Sequence, residues 1–357
     1  MRTALLAPIA LAALACASTP KKRAEVVWPD PPEKPRISFV TAFRTTDDLD
    51  TSGWRSFTRT LLGASADESL PLQPMGLALS GDGQRAYIAD YKGGQIVLAD
   101  LEGKKVSRFA PDQPLRLPFN VALDGEENVY VSDSAAKAVF VLDRRGQRVK
   151  TIGQGVLERP TGLAMDLKRR VLYVTDCGGR DSPTHRVLAF ALDDLKVREV
   201  GGGKGSGDGQ FYFPTYLAVD PEGNLFVADT LNFRVQVFDP DGRFLAQHGE
   251  AGGTPGTFSK LKGLAFDGFG NLYAVDGDHS VVQIFNSKFE PLMWFGGFFN
   301  ALEYFDIPSC IAIDRRTNRI FVCNEHYGRV NVYQLINTTA GDSFLRPRKD
   351  KPYDAPR

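Results

Sequence analysis

Short apolar runs alternate with turn residues along almost the whole chain, and one run recurs six times. Its copies are PMGLALS (74 to 80), PFNVALD (118 to 124), PTGLAMD (160 to 166), PTYLAVD (214 to 220), LKGLAFD (261 to 267) and PSCIAID (308 to 314). Fifteen or sixteen residues after the first position of each copy, a second apolar strand closes on an acid or an amide: Asp90, Asp133, Asp176, Asp229, Asp276 and Asn324. A third segment follows, as in VFVLD, RVQVFD and RVNVY, and a fourth often ends in glycine, as in RVKTIG and FLAQHG. Alternation over five or six residues predicts half-buried strands. Four strands repeated at intervals of 42 to 54 residues predict propeller blades, since a lone four-stranded sheet covers its faces only against neighbouring sheets. The turn sequences DPEGN, DGFGN and DPDG fall between the predicted strands. The expected fold class is therefore all-β, a six-bladed β-propeller.

The sixth repeat lacks a fourth strand, because the chain after RVNVY soon turns polar. RISFVTAF (36 to 43) is the spare strand, and pairing it outside blade six would close the ring. The repeat, above all FVADTLNFRVQVFD (226 to 239), resembles the NHL repeat family of six-bladed propellers over residues 36 to 336. That resemblance implies the fold; its members include binding scaffolds, RNA-binding modules and a few enzymes, so it leaves function open.

Outside the repeats the chain divides simply. Residues 1 to 15 hold Arg2 and an apolar run too short to span a bilayer, and AALAC leads into Cys16. This resembles a bacterial lipoprotein signal, which implies that Cys16 is acylated and that the protein sits in the cell envelope, facing the periplasm from the outer membrane. Residues 16 to 35, charged and rich in proline, are expected to be a tether reaching up to ~60 Å. An insertion at 44 to 73 contains WRSFTRTLL, which reads as a short amphipathic helix with Trp54 on its apolar side. Residues 337 to 357 read as a solvated tail.

Composition narrows the chemistry. Lys plus Arg and Asp plus Glu both total 43, so no net field draws the chain to nucleic acid, and RNA binding is not expected. The four cysteines form no CxxC, which disfavours zinc-ribbon and thioredoxin sites and points to no cofactor. Propeller relatives of the amidating-lyase and lactonase types hold a metal at the starts of the inner strands. Here those positions are Met75-Gly76, Phe119-Asn120, Thr161-Gly162, Thr215-Tyr216, Lys262-Gly263 and Ser309-Cys310, with no histidine or carboxylate among them. Neither a metal nor a catalytic residue is expected. The alternative kept open is a metal-dependent lyase or a lactonase-like hydrolase.

The recurring Asp90, Asp133, Asp176, Asp229, Asp276 and Asn324 are expected to be structural, accepting loop amides and, where present, an arginine: Arg186, Arg234 and Arg329. His185, His248, His279 and His326 are expected to be solvated in loops at one end of the ring. That end also carries GGGKGSGDGQFYF, which lacks phosphate-loop spacing, and FGGFFNALEYFDI, whose rings suit either a binding anchor or a wedge between blades. The candidate binding face is Trp54, His185, His248, Lys262, His279, Phe298, Phe299, Tyr304 and His326, and the expected partner is an envelope protein, peptide or glycan bound by a monomer. Finally, a turn at 315 to 318 would set Ile313 opposite Ile320 and bring Cys310 opposite Cys323, close enough for a disulfide; a one-residue slip would instead leave two packed thiols.

Overall fold

A computed structural model describes residues 25–49, 73–110, 112–299 and 301–339. Cys16, Trp54 and the helix expected at 54 to 62 lie outside those residues. Six antiparallel sheets form a ring. Blade one is built from Pro74–Leu79, Arg85–Asp90, Gln95–Asp100 and Lys105–Phe109, and the pattern repeats through blades two to five. Each inner strand lies beside the inner strands of both neighbouring blades, so six of them wall a central channel.

The fixed spacing between the first residue of a repeat and its acid has a direct cause. Pro74 pairs with Asp90, Pro118 with Asp133, Pro160 with Asp176, Pro214 with Asp229, Leu261 with Asp276 and Pro308 with Asn324. A bulge follows the first pair in every blade and bends the inner strand where it meets the axis. Backbones converge so closely there that a Cβ on Gly76 would stand 2.4 Å from the Asn120 Cα, and one on Gly162 would stand 2.4 Å from the Thr215 carbonyl oxygen. Between the blades, Tyr87, Tyr173 and Tyr273 from the second strands of blades one, three and five are at most 1% exposed, each contributing roughly 1.5–3 kcal/mol of burial.

Blade six is Pro308–Asp314, Arg319–Asn324 and Arg329–Leu335, completed by Ile37–Phe43, which pairs from Ile37 opposite Leu335 to Phe43 opposite Val330 with one bulge between Phe39 and Thr41. The tether expected over 16 to 35 differs in its described part. Val27–Trp28 adds a fifth strand outside Ile37–Phe43, and Trp28 is 7% exposed among Phe295, Tyr304 and Tyr333. One indole supplies enough apolar surface to hold a proline-rich segment down. The start of the expected tail is tied in as well: the Arg36 guanidinium donates to the Asn337 carbonyl, and the Asn337 amide donates to the Pro35 carbonyl at 3.0 Å.

The hairpin of blade six pairs Ile313 with Ile320 and Ile311 with Val322. Cys310 then falls in the bulge, with its Cα 5.0 Å from that of Cys323, and the two sulfurs are bonded.

Candidate functional site

All inner-strand starts, second-to-third strand loops and blade connectors share one end of the ring by antiparallel topology. The repeat acids do their work there. Asp133 accepts from the amides of Arg116, Leu117, Ala135 and Ala136; Asp176 accepts from Glu158 and Arg159 and pairs with Arg186 at 3.0 Å; Asp276 accepts from Ser259 and Lys260. Each carboxylate thus ties a blade connector to its own sheet. Asp229 pairs with Arg234 at 3.0 Å, and burial nevertheless pushes its carboxyl above the usual range. The expected Asn324–Arg329 pair takes another form. With an amide in place of the acid, Arg329 donates to the carbonyls of Ala301 and Tyr304 and to the Asn331 side chain, and Asn324 accepts from the Asp306 amide.

A second device links one blade to the next at four of the six junctions. Ser134 donates to the Pro160 carbonyl, Thr230 to Leu261 and Ser309 to Pro74, at 2.7 to 2.9 Å. Cys177 takes the same place against the Pro214 carbonyl. The free thiol is therefore a buried structural donor, and burial pushes its pKa up to about 12.

At the mouth of the channel, Tyr216 from blade four reaches across the axis. Its phenol donates to the Met75 carbonyl of blade one at 2.9 Å, and its ring lies 5.5 Å from that of Phe119. Tyr216 is 3% exposed, and desolvation raises its pKa well above the ordinary value, so it stays a neutral donor. Beside it, Lys262 pairs with Glu325 at 2.8 Å, and Gln73 donates to the same carboxylate at 3.2 Å. Burial lowers the pKa of Lys262 and Glu325 opposes that shift. Below the plug the channel holds a cavity of about 300 Å³ walled by residues such as Leu163, Leu217 and Leu264; at the far end Arg315 reaches the Val219 carbonyl at 3.0 Å.

A histidine- or carboxylate-bound metal does not fit this mouth. Its axis carries a phenol, a thioether-bearing residue and a phenyl ring, and the Glu325 carboxylate beside them is engaged by Lys262 and Gln73. Among the described residues, no three His, Cys, Asp or Glu converge on one point.

The histidines do not come together, and they are not uniformly solvated. His185 is fully buried, accepting the Phe213 amide on Nδ1 at 3.1 Å, and desolvation lowers its pKa. His248 stacks on Phe289 at 3.8 Å, and His279 meets Asp276 at 2.8 Å. His326 is exposed, 3.8 Å from Asp306. The cause lies in the neighbouring connector: His185 opens a strand opposite Cys177 and is covered by Tyr212 and Phe213.

The aromatic connector divides cleanly. Phe295 and Phe305 are fully buried wedges, whereas Phe298 and Phe299 are 63% and 52% exposed. Tyr304 joins them to the body, 5.5 Å from Phe299 and 6.0 Å from Trp28. Sequence reasoning listed Tyr216 without seeing its role and passed over Trp28. The available signals were a bulky ring where the other blades carry Gly, Asn or Cys, and a tryptophan in a polar spacer.

Comparisons with known proteins agree with this architecture. Residues 211–238 match the NHL repeat. The peptidyl-glycine alpha-amidating monooxygenase of Mus musculus is 26% identical over 262 residues, covering 68% of this chain and 26% of that protein, so the chain spans about a quarter of that relative's length. Among solved structures, a protein of unknown function from Bacteroides thetaiotaomicron has a TM-score of 0.60 at 16% identity, covering 75% of this chain and 70% of that one. A gluconolactonase from Xanthomonas campestris has a TM-score of 0.58 at 16% identity, covering 74% and 88%. At such identities the structural likeness shows the fold alone.

Proposed function

We propose, from the premise that this chain is a six-bladed β-propeller carrying an NHL repeat, that it is an exported, lipid-anchored binding module of the cell envelope. In this reading it captures a protein, peptide or glycan on its connector face and performs no chemistry on it. The observation that carries it is the plugged mouth. The place where propeller lyases and lactonases would bind metal and substrate is filled by Tyr216 bonded to the Met75 carbonyl, with Phe119 beside it. Catalysis by a bound metal needs several converging ligands and an open coordination position, and the described residues of this mouth offer neither.

The rival reading, a metal-dependent lyase or a lactonase-like hydrolase, draws support from the likeness to the amidating monooxygenase over 68% of the chain. Metal analysis of the purified protein, together with capture from envelope extract on immobilised folded protein and on a heat-unfolded control, separates the two. The expected result is a discrete partner held by the folded form alone. A stoichiometric metal together with turnover of a hydroxyglycine-extended peptide or a lactone would overturn the proposal.

A further inference from the structure

Three connectors are built alike, and one departs from the pattern. Lys204 bridges Phe211, Ala251 bridges Phe258 and Phe298 bridges Phe305, and the second ring of each pair is buried as a wedge. Lysine or alanine therefore suffices opposite the wedge, and glycine follows in both cases, as Gly205 and Gly252. The third connector places Phe298 and Phe299 at those two positions and adds Leu302, 47% exposed. The architecture has no use for these three apolar side chains in water, so their exposure calls for an occupant.

The place of Val27–Trp28 says which. Val27–Trp28 is pinned to blade six, and Trp28 lies 6.0 Å from Tyr304, whose other neighbour is Phe299 at 5.5 Å. The described chain thus begins, at Glu25, on the flank of this aromatic patch. Eight residues lie between Cys16 and Glu25, and the nine steps reach at most about 32 Å, roughly half that expected of a free tether. An acyl chain on Cys16 would hold the patch close to a bilayer. Phenylalanine and leucine gain by entering the interface, where a tyrosine ring also sits well. Charge at the site is mixed, with Lys21, Lys22 and Arg23 just upstream and Asp30 and Glu303 acting on Tyr304, so apolar insertion has to dominate.

We propose that Phe298, Phe299 and Leu302 form a membrane-docking patch that seats blades five and six in the lipid interface and leaves the rest of the connector face inclined to the bilayer. The proposal rests on the reading of Cys16 as lipid-modified, and the two are tested separately. For the patch, a chain beginning at Ala17 retains every described residue and lacks the cysteine. Its co-sedimentation with vesicles of phosphatidylethanolamine and a minority of phosphatidylglycerol should fall about tenfold in Phe298→Ser/Phe299→Ser/Leu302→Ser and persist at high salt. The melting temperature of the variant should match that of the parent; should the triple variant melt early, Phe298→Ser alone should still weaken binding. A parent that ignores vesicles, or a folded variant that binds them as the parent does, would overturn the patch. For the anchor, fractionation of cells expressing the full chain with Cys16→Ala gives the answer: unchanged membrane retention removes the lipid reading whatever the vesicles show.

Discussion

The phenol of Tyr216 and the main-chain carbonyl of Met75 are 141 residues apart in sequence and 2.9 Å apart across the channel, joining blade four to blade one on opposite sides of the ring. Six inner strands that touch only their neighbours leave an axial gap; this bond spans it at the mouth, and Arg315 to the Val219 carbonyl spans it at the far end. Removing the hydroxyl in Tyr216→Phe should cost about 0.5–1.5 kcal/mol, while Tyr216→Ala, which empties the mouth, should cost about 3–5 kcal/mol. Urea unfolding measures both. Equal losses in the two variants would mean that the ring itself contributes nothing.

The closing strand is held from outside by Trp28, which packs on Phe295, Tyr304 and Tyr333. Trp28→Ala should destabilise the protein by about 3–5 kcal/mol and expose the edge of Ile37–Phe43. Amide exchange should then speed up first in Ile37–Phe43 and Arg329–Leu335. Uniform acceleration around the ring would argue against a local seam.

The disulfide between Cys310 and Cys323 closes a loop with a sequence separation of 13. In the chain-entropy account a loop of that size is worth about 3 kcal/mol, which Cys310→Ser/Cys323→Ser should lose. Peptide mapping of unreduced, denatured protein should recover the two cysteines linked and Cys177 alkylated. Recovery of alkylated Cys310 and Cys323 would refute the bond.

His185 makes stability depend on pH in a defined direction. Its Nδ1 accepts the Phe213 amide, its Nε2 is buried without a partner, and the Lys204 ammonium adds like charge, so the folded protein resists protonating it. The folded pKa lies below the unfolded value near 6.5, so the unfolded chain takes up the proton first. Stability from this group is complete above about pH 6.5 and is lost as pH falls towards the folded pKa. Unfolding midpoints at pH 7.5 and 5 should therefore diverge more in the parent than in His185→Asn. Equal divergence would assign the acid loss elsewhere, with His248, also lowered by burial, the next group to replace.

The sequence alone determined the six blades, the recurring spacing of an acid or amide after each repeat's first residue, and the strand that completes blade six; it left the register that joins Cys310 to Cys323 as one of two alternatives, and the structure selects it. The first three follow from period-two alternation, turn chemistry and a repeated spacing, which act over a few residues or recur in every blade and so leave a pattern in the chain. What the tertiary structure decided lies between blades. Nothing near Tyr216 in sequence marks it as a plug, because its partner is set by the curvature of a closed ring that places blade four opposite blade one. Nothing near Trp28 or His185 marks them as buried, because their covers come from Phe295, Tyr304 and Tyr333 in one case and from Tyr212 and Phe213 in the other. The aromatic connector shows the same division: Phe305 repeats the wedge position of Phe211 and Phe258, three residues before an inner strand, whereas the exposure of Phe298 and Phe299 depends on where the neighbouring sheet ends, a distance that no local periodicity encodes.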